Sequence, residues 1–320
     1  MRIRTSLRWA ARSVLHYSGI VSAARAVNRR GCRILVYHRF SEDCSILAAQ
    51  CEHLRRHYQP VSMRTVAEGL SQACRLPEHA VAITVDDGYR DFLLHAHPVF
   101  SRYEIPVTIF PVSDFLDKRA WLWWDQVEYL FKQTRHTFIE FAGRTVNIRS
   151  DPERASCKVS EHLKRLPKAE RLARLDFMQR QLAVEVPERP PPEYEALNWE
   201  EARKLASEGV EFGCHTRSHP VLSCLASAGD QHEEICGSKR RLQEELGFPA
   251  VHFCYPNGTW ADFNEQTVEI VRRCGFLTAV TAESGFNHVG SDPFRLFRLG
   301  ISPAFPRLRF VELLAGFRKY

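Results

Sequence analysis

Apolar residues along this chain fall into two textures. Short dense runs alternate with stretches in which apolar positions return every three or four residues. The dense runs are "CRILVYHRF" (32–40), "AVAIT" (80–84), "IPVTIFPV" (105–112), "VEFGCH" (210–215), "AVHFCYP" (250–256) and "LTAVTA" (277–282). Their β-branched and aromatic content predicts buried strands. Helical spacing appears at Leu47, Cys51 and Leu54, between Phe92 and Tyr103, around 230–246, and from about Asn264 to Cys274. In "NWEEARKLASEG" (198–209), Asn198 is a predicted N-cap and Gly209 a predicted C-cap. Strands that alternate with helices predict an α/β fold built on a parallel sheet or barrel.

The middle of the chain breaks this rhythm. An aromatic cluster, "WLWWDQVEYLF", is followed by charged helical sequence such as "KAERLARLDFMQRQL" and then by the proline run "PERPPPEYE". We read residues from about 117 to 197 as a mostly helical insertion in one domain spanning 33–320. Residues 1–32 form a separate basic helical segment. With 320 residues and 44% hydrophobic content, the chain has material for a full core.

Charge is concentrated at the start. The chain carries 44 Lys+Arg against 38 Asp+Glu, a net +6, and residues 1–30 hold seven arginines and no acid. The remainder is close to neutral, which removes the electrostatic basis for nucleic-acid binding. Arg8, Arg12, His16 and Arg25 interrupt any apolar run long enough for a signal peptide, and no segment approaches a membrane span. The expectation is a cytoplasmic protein whose basic N-terminus packs on the domain or touches the inner membrane face. Ten cysteines are scattered with no C-x-x-C pair, consistent with reduced, mostly buried thiols.

Candidate chemistry sits at the ends of predicted strands, where α/β proteins collect their sites. "TVDDG" places Asp86 and Asp87 side by side, and "HTRSH" places His215 and His219 four apart. On a helical turn that spacing puts both imidazoles on one side. An H-x-x-x-H pair alone is more often structural, but two histidines and a carboxylate make a three-ligand metal set with a position open for water. "FCYPNG" (253–258) ends another strand in a tight turn able to aim backbone N–H groups into a pocket.

Together these residues resemble the polysaccharide deacetylases of the NodB-like carbohydrate esterase family. Thr84-Val85-Asp86-Asp87-Gly88 looks like its first motif, His215-Thr216-Arg217-Ser218-His219 its second, and Cys254-Tyr255-Pro256-Asn257-Gly258 a weaker third. The resemblance implies a distorted (β/α)7-type barrel of parallel strands with a divalent metal, most often zinc, at its mouth. Carried over, Asp87, His215 and His219 would hold the metal, Asp86 would be the base, and the Asn257 N–H would donate to the oxyanion. Tyr89, Tyr255, Pro256 and Trp124 would lie against the sugar. Three features depart from the family. The arginine common in the third motif is Cys254 here, the D-x-x-D-W segment of many members has no clear match around "TAVTAESGFN", and the late L-x-H histidine is replaced by "LFRLG". Arg295 or Arg298 is a candidate charge partner, and His288 or His38 a candidate acid.

The implied activity is metal-dependent removal of N-acetyl groups from N-acetylhexosamine units of a bacterial polysaccharide or glycan precursor. Two alternatives stay open: a related amidase or O-acetyl esterase acting on a small molecule, and a glycan-binding protein whose catalysis is impaired by the altered late motifs.

Overall fold

The computed structural model describes residues 19–71, 75–118 and 121–317. Parallel pairing organises the fold. Strand β1 (Arg33–Tyr37) lies between β3 (Ala80–Asp87) and β10 (Leu299–Gly300), β3 continues to β4 (Val107–Pro111), and β4 to β7 (Glu211–Phe212). A short β2 (Gln59–Pro60) also pairs with β3, while β8 (His252–Cys254) and β9 (Thr278–Val280) form a separate parallel pair. Single parallel bridges, Cys214↔Phe253 and Val280↔Leu296, link the two groups at both seams. Seven parallel strands thus run in succession, β10-β1-β3-β4-β7 in one sheet and β8-β9 in a pair, with single bridges where the two groups meet.

All eight residues of β3 are buried, and so are all five of β1 and of β4. Strands covered on both faces read as continuous apolar runs, which is why these elements are visible in the sequence. The described helices match the expected spacing. Leu47, Cys51 and Leu54 all lie buried on the helix Ser45–His57, and Asn198 caps Trp199–Ser207 in a reciprocal capping box with Glu201. That helix ends at Glu208, and Gly209 follows in a left-handed conformation with φ 92°.

Two local readings gain detail and one needs correction. The span after "TVDDG" opens as a π-helical turn, Phe92–Ala96, before the α-helix His97–Arg102. Pro98 has no N–H to continue the ladder at that junction. The insertion holds the helices Trp123–Gln133, Pro152–Leu163 and Lys168–Leu182, but also an antiparallel hairpin, β5 (Phe138–Phe141) and β6 (Arg144–Asn147). Its apolar residues, Val127, Leu130, Phe131, Val159 and Leu175 among them, gather into a cluster separate from the main core. The cysteines are the one correction. Cys236 and Cys274 form a disulfide, whereas seven other described cysteines are free. Thirty-eight residues of sequence hide this pair from any spacing rule.

Most of the Arg-rich start, residues 1–18, lies outside the described residues, and with it the expected membrane contact. The helix Ile20–Val27 packs Val21 against Val311 and Ala315 of the helix Arg307–Ala315. No described helix is long and apolar enough to cross a membrane.

Candidate active site

The two acids of "TVDDG" end β3, and the backbone turns there to bring both side chains to one cleft. Asp87 adopts φ 72° and Gly88 φ 91°. A Cβ on Gly88 would stand 2.8 Å from the Pro111 Cβ and 2.9 Å from the Leu116 Cδ1, so only glycine fits. The Gly88 N–H donates to the Asp86 carbonyl at 2.9 Å and closes the turn.

Asp86 and Asp87 then meet different surroundings. The Arg298 guanidinium donates to both Asp86 oxygens at 2.8 Å, a bidentate pair in which both side chains are buried. Its Nε also donates to the Thr281 carbonyl at 2.7 Å, which locks the fork in place. Cys254 fills the remaining side, its Sγ 3.3 Å from Asp86 Oδ2 and 3.2 Å from the Arg298 guanidinium. Burial pushes Asp86 up, but the Arg298 charge outweighs it and holds the carboxyl well below the usual carboxylate range. Asp87 is equally buried and has no arginine of its own; burial pushes it up to about 7.

His215 and His219 bring their Nε2 atoms to 3.7 and 3.8 Å from Asp87 Oδ1. Both distances exceed hydrogen-bond length. Burial pushes His215 down to about 4 and His219 well below the usual histidine range, so both rings are neutral and neither forms a salt bridge with Asp87. The Cys254 carbonyl lies 2.8 Å from His215 Nδ1. It only accepts, so Nδ1 carries the proton and Nε2 presents its lone pair. Two neutral imidazoles and one carboxylate, their donor atoms all within 4.8 Å of one another, fit a divalent cation.

The expected helical turn at "HTRSH" is absent. The segment is a loop in which Thr216 and His219 take φ 64° and 57°. Thr216 Oγ1 accepts from the His219 N–H at 3.0 Å, and Glu234, on the helix Ala228–Leu246, accepts from the Arg217 and Ser218 N–H groups at 2.9 Å each. These bonds hold the imidazoles together without a helix. In the third motif Asn257 and Gly258 have φ 59° and 69°, and a Cβ on Gly258 would stand 2.7 Å from the Ala282 nitrogen. The Asn257 N–H meets no acceptor among the described residues.

A cleft of about 400 Å³ opens over these groups. His38, Trp124, Tyr255, Asn257 and Arg298 line it beside the acids and histidines, and so do Trp123, Ser160, Glu161 and Lys164 of the insertion. Trp124 packs edge-on against His219 at 4.7 Å. Tyr89, expected against substrate, lies behind the cleft. It is buried, receives a bond from Trp124 Nε1 at 3.0 Å and donates to Asp125 at 2.7 Å. Pro256 is likewise behind the lining, its carbonyl accepting from the Gly258 N–H at 2.7 Å.

The two late candidates separate clearly. His288 is exposed and sits by Gly31, away from the acids, whereas His38 Nε2 lies 3.8 Å from Asp86 Oδ2. Arg295 pairs with Asp292 and Glu265 outside the cleft, leaving Arg298 as the charge partner. Five participants had no role assigned from the sequence: Glu234, Cys254 as a thiol contact, and the insertion residues Ser160, Glu161 and Lys164.

Residues 74–279, carrying all three motifs, match the sequence profile of the polysaccharide deacetylases. The chain belongs to that family. The poly-beta-1,6-N-acetyl-D-glucosamine N-deacetylase of Escherichia coli K12 is 36% identical over 77 residues, which are 24% of this chain and 12% of that enzyme. A putative polysaccharide deacetylase of Bacillus subtilis, YxkH, is 21% identical over 277 residues, 84% of this chain and 71% of the relative. Among solved structures, the Streptococcus pyogenes deacetylase PplD in complex with acetate superposes with a TM-score of 0.59 at 18% identity, covering 89% of this chain and 98% of that one. IcaB from Ammonifex degensii gives 0.59 at 20% identity, covering 89% and 97%. These likenesses establish the fold. The family uses a divalent metal, and Asp87, His215 and His219 are the donor set that fits one here.

Two outcomes follow from the unequal acids. Metal binding must displace a proton from Asp87 but none from the histidines. The apparent affinity of metal-free protein for zinc should therefore rise close to tenfold per pH unit below about 7 and level off above it. Calorimetric titrations across pH 5 to 8 measure this; an affinity independent of pH below 7 contradicts the assignment of Asp87. Arg298→Leu leaves the Asp86 carboxylate buried without its cation and should cost roughly 3–5 kcal/mol in denaturant unfolding, with part recovered by Arg298→Lys.

Proposed function

We propose that this protein removes acetyl groups from N-acetylhexosamine units of a bacterial glycan or glycan precursor, with poly-N-acetylglucosamine as the first polymer to test. The observation that carries the reading is one cleft holding a charged base, Asp86 with Arg298, next to a separate donor set, Asp87 with His215 and His219. The match to the poly-N-acetylglucosamine deacetylase of Escherichia coli supports the choice of sugar.

Two imidazoles and a carboxylate suit zinc, and a divalent cation bound there would supply Lewis acidity toward the acetyl carbonyl and lower the pKa of water. The side chains divide the remaining work. Asp86, kept ionised by Arg298, takes the proton of the attacking water. The Asn257 N–H donates to the oxygen on which negative charge develops. His38 stands beside Asp86 on the open side of the cleft and delivers the proton that the departing sugar amine needs. Trp124 offers an apolar face at the cleft wall against which a sugar ring can pack.

The glycan-binding alternative rested on missing late motifs. Arg298 at the end of the chain takes the place of the absent third-motif arginine, and His38 near its start takes the place of the absent late histidine, so that alternative loses its support. The distinction from an esterase lies in the leaving group.

Purified protein with stoichiometric metal should release acetate from N-acetylglucosamine oligomers. Asp86→Asn should abolish release and still bind the metal; turnover that survives this change would sink the assignment. His38→Ala should slow amide cleavage by about 10²–10⁴-fold, the ordinary share of a general acid. The same variant should cleave aryl acetates at near-normal rates, because a phenolate leaves without a proton. Equal losses on both substrates would remove His38 from the acid role.

A further inference from the structure

A second group of metal-ligating side chains lies outside the cleft. The helix Ala228–Leu246 carries His232 and Cys236 four residues apart, so both project from one side. Cys274 is the C-cap of the neighbouring helix Glu265–Arg273. The imidazole nitrogen and the two sulfurs lie within 4.8 Å of one another, and none of the three residues lines the catalytic cleft. His232 is exposed and the two cysteines are half-buried, so ions and reductants reach them from solvent.

Cys236 and Cys274 are joined as a disulfide with their Cα atoms 5.7 Å apart. We propose that this bond is one of two states of the position, and that in the reduced chain His232, Cys236 and Cys274 bind a thiophilic divalent cation such as zinc. A thiol or phosphine reductant supplies two electrons, two protons are taken up, and the S–S bond becomes two thiols. Cation binding then releases those two protons and adds the neutral imidazole as third ligand, leaving one position for water. Lys239 supports the thiolate form. Its ammonium donates to the Cys274 and Gly275 carbonyls at 2.8 and 2.7 Å and sets a positive charge at the backbone of one of the two cysteines.

The position of this group gives either state a purpose. Glu234, which holds the "HTRSH" loop, lies two residues before Cys236 on the same helix. Cys274 ends the helix that follows the "FCYPNG" turn. A bond through sulfur or through a cation therefore reinforces the join between the two motif-bearing segments, which in the reduced, metal-free chain rests on contacts such as the Lys239 hydrogen bonds.

The full chain, prepared oxidised and phosphine-reduced, is titrated with cadmium while sulfur-to-metal charge-transfer absorption is followed. Reduced protein should bind two equivalents, one of them with the charge-transfer band; oxidised protein should bind one equivalent without it. Cys236→Ser/Cys274→Ser should bind one equivalent and show no band under either condition, its remaining site reporting that the fold is intact. His232→Ala should keep the band and bind that ion at least tenfold more weakly. One equivalent in both preparations of the unaltered chain would mean a disulfide only. A band that persists in the double-serine variant would place the thiolate elsewhere. Either result overturns the proposal.

Discussion

Two carboxylates buried at the end of one strand cannot both stay ionised unless two positive charges come to meet them. The architecture around β3 answers that constraint. β10 lies next to β1, and Arg298, just before it, extends a guanidinium to take both oxygens of Asp86. The second acid is left with neutral imidazoles, and its charge has to be met by something other than the protein. The difference between the neighbours is one of environment, since the side chains are chemically identical.

Much of this was legible along the chain, and the pattern of success is physical. β1, β3 and β4 announce themselves because burial on both faces makes most of their positions apolar. The helices with capping boxes are equally plain. The hairpin β5–β6 escaped because only alternate residues of β5 are buried and none of β6 is. β2 and β10 are two residues each, too short for any period to register.

At the site, the sequence carried the candidate groups but not the scaffolding. Asp86, Asp87, His215 and His219 sit in compact motifs. Arg298 lies 212 residues from Asp86, and choosing it over Arg295, three positions away, required the fold. The same holds for the two histidines considered as acid: His38 follows β1 into the cleft, while His288 ends beside Gly31. The helical turn expected at "HTRSH" follows from spacing alone. What positions the rings instead is a loop held by Thr216 and by Glu234 from a distant helix.

The insertion has a consequence of its own. One wall of the cleft, with Ser160, Glu161 and Lys164, belongs to segments whose apolar residues pack among themselves rather than into the main core. Changes on that wall leave the parallel strands and their charge pair undisturbed. The two sides of the cleft can therefore change separately: the insertion wall can alter in shape and charge while Asp86 and Asp87 keep their surroundings.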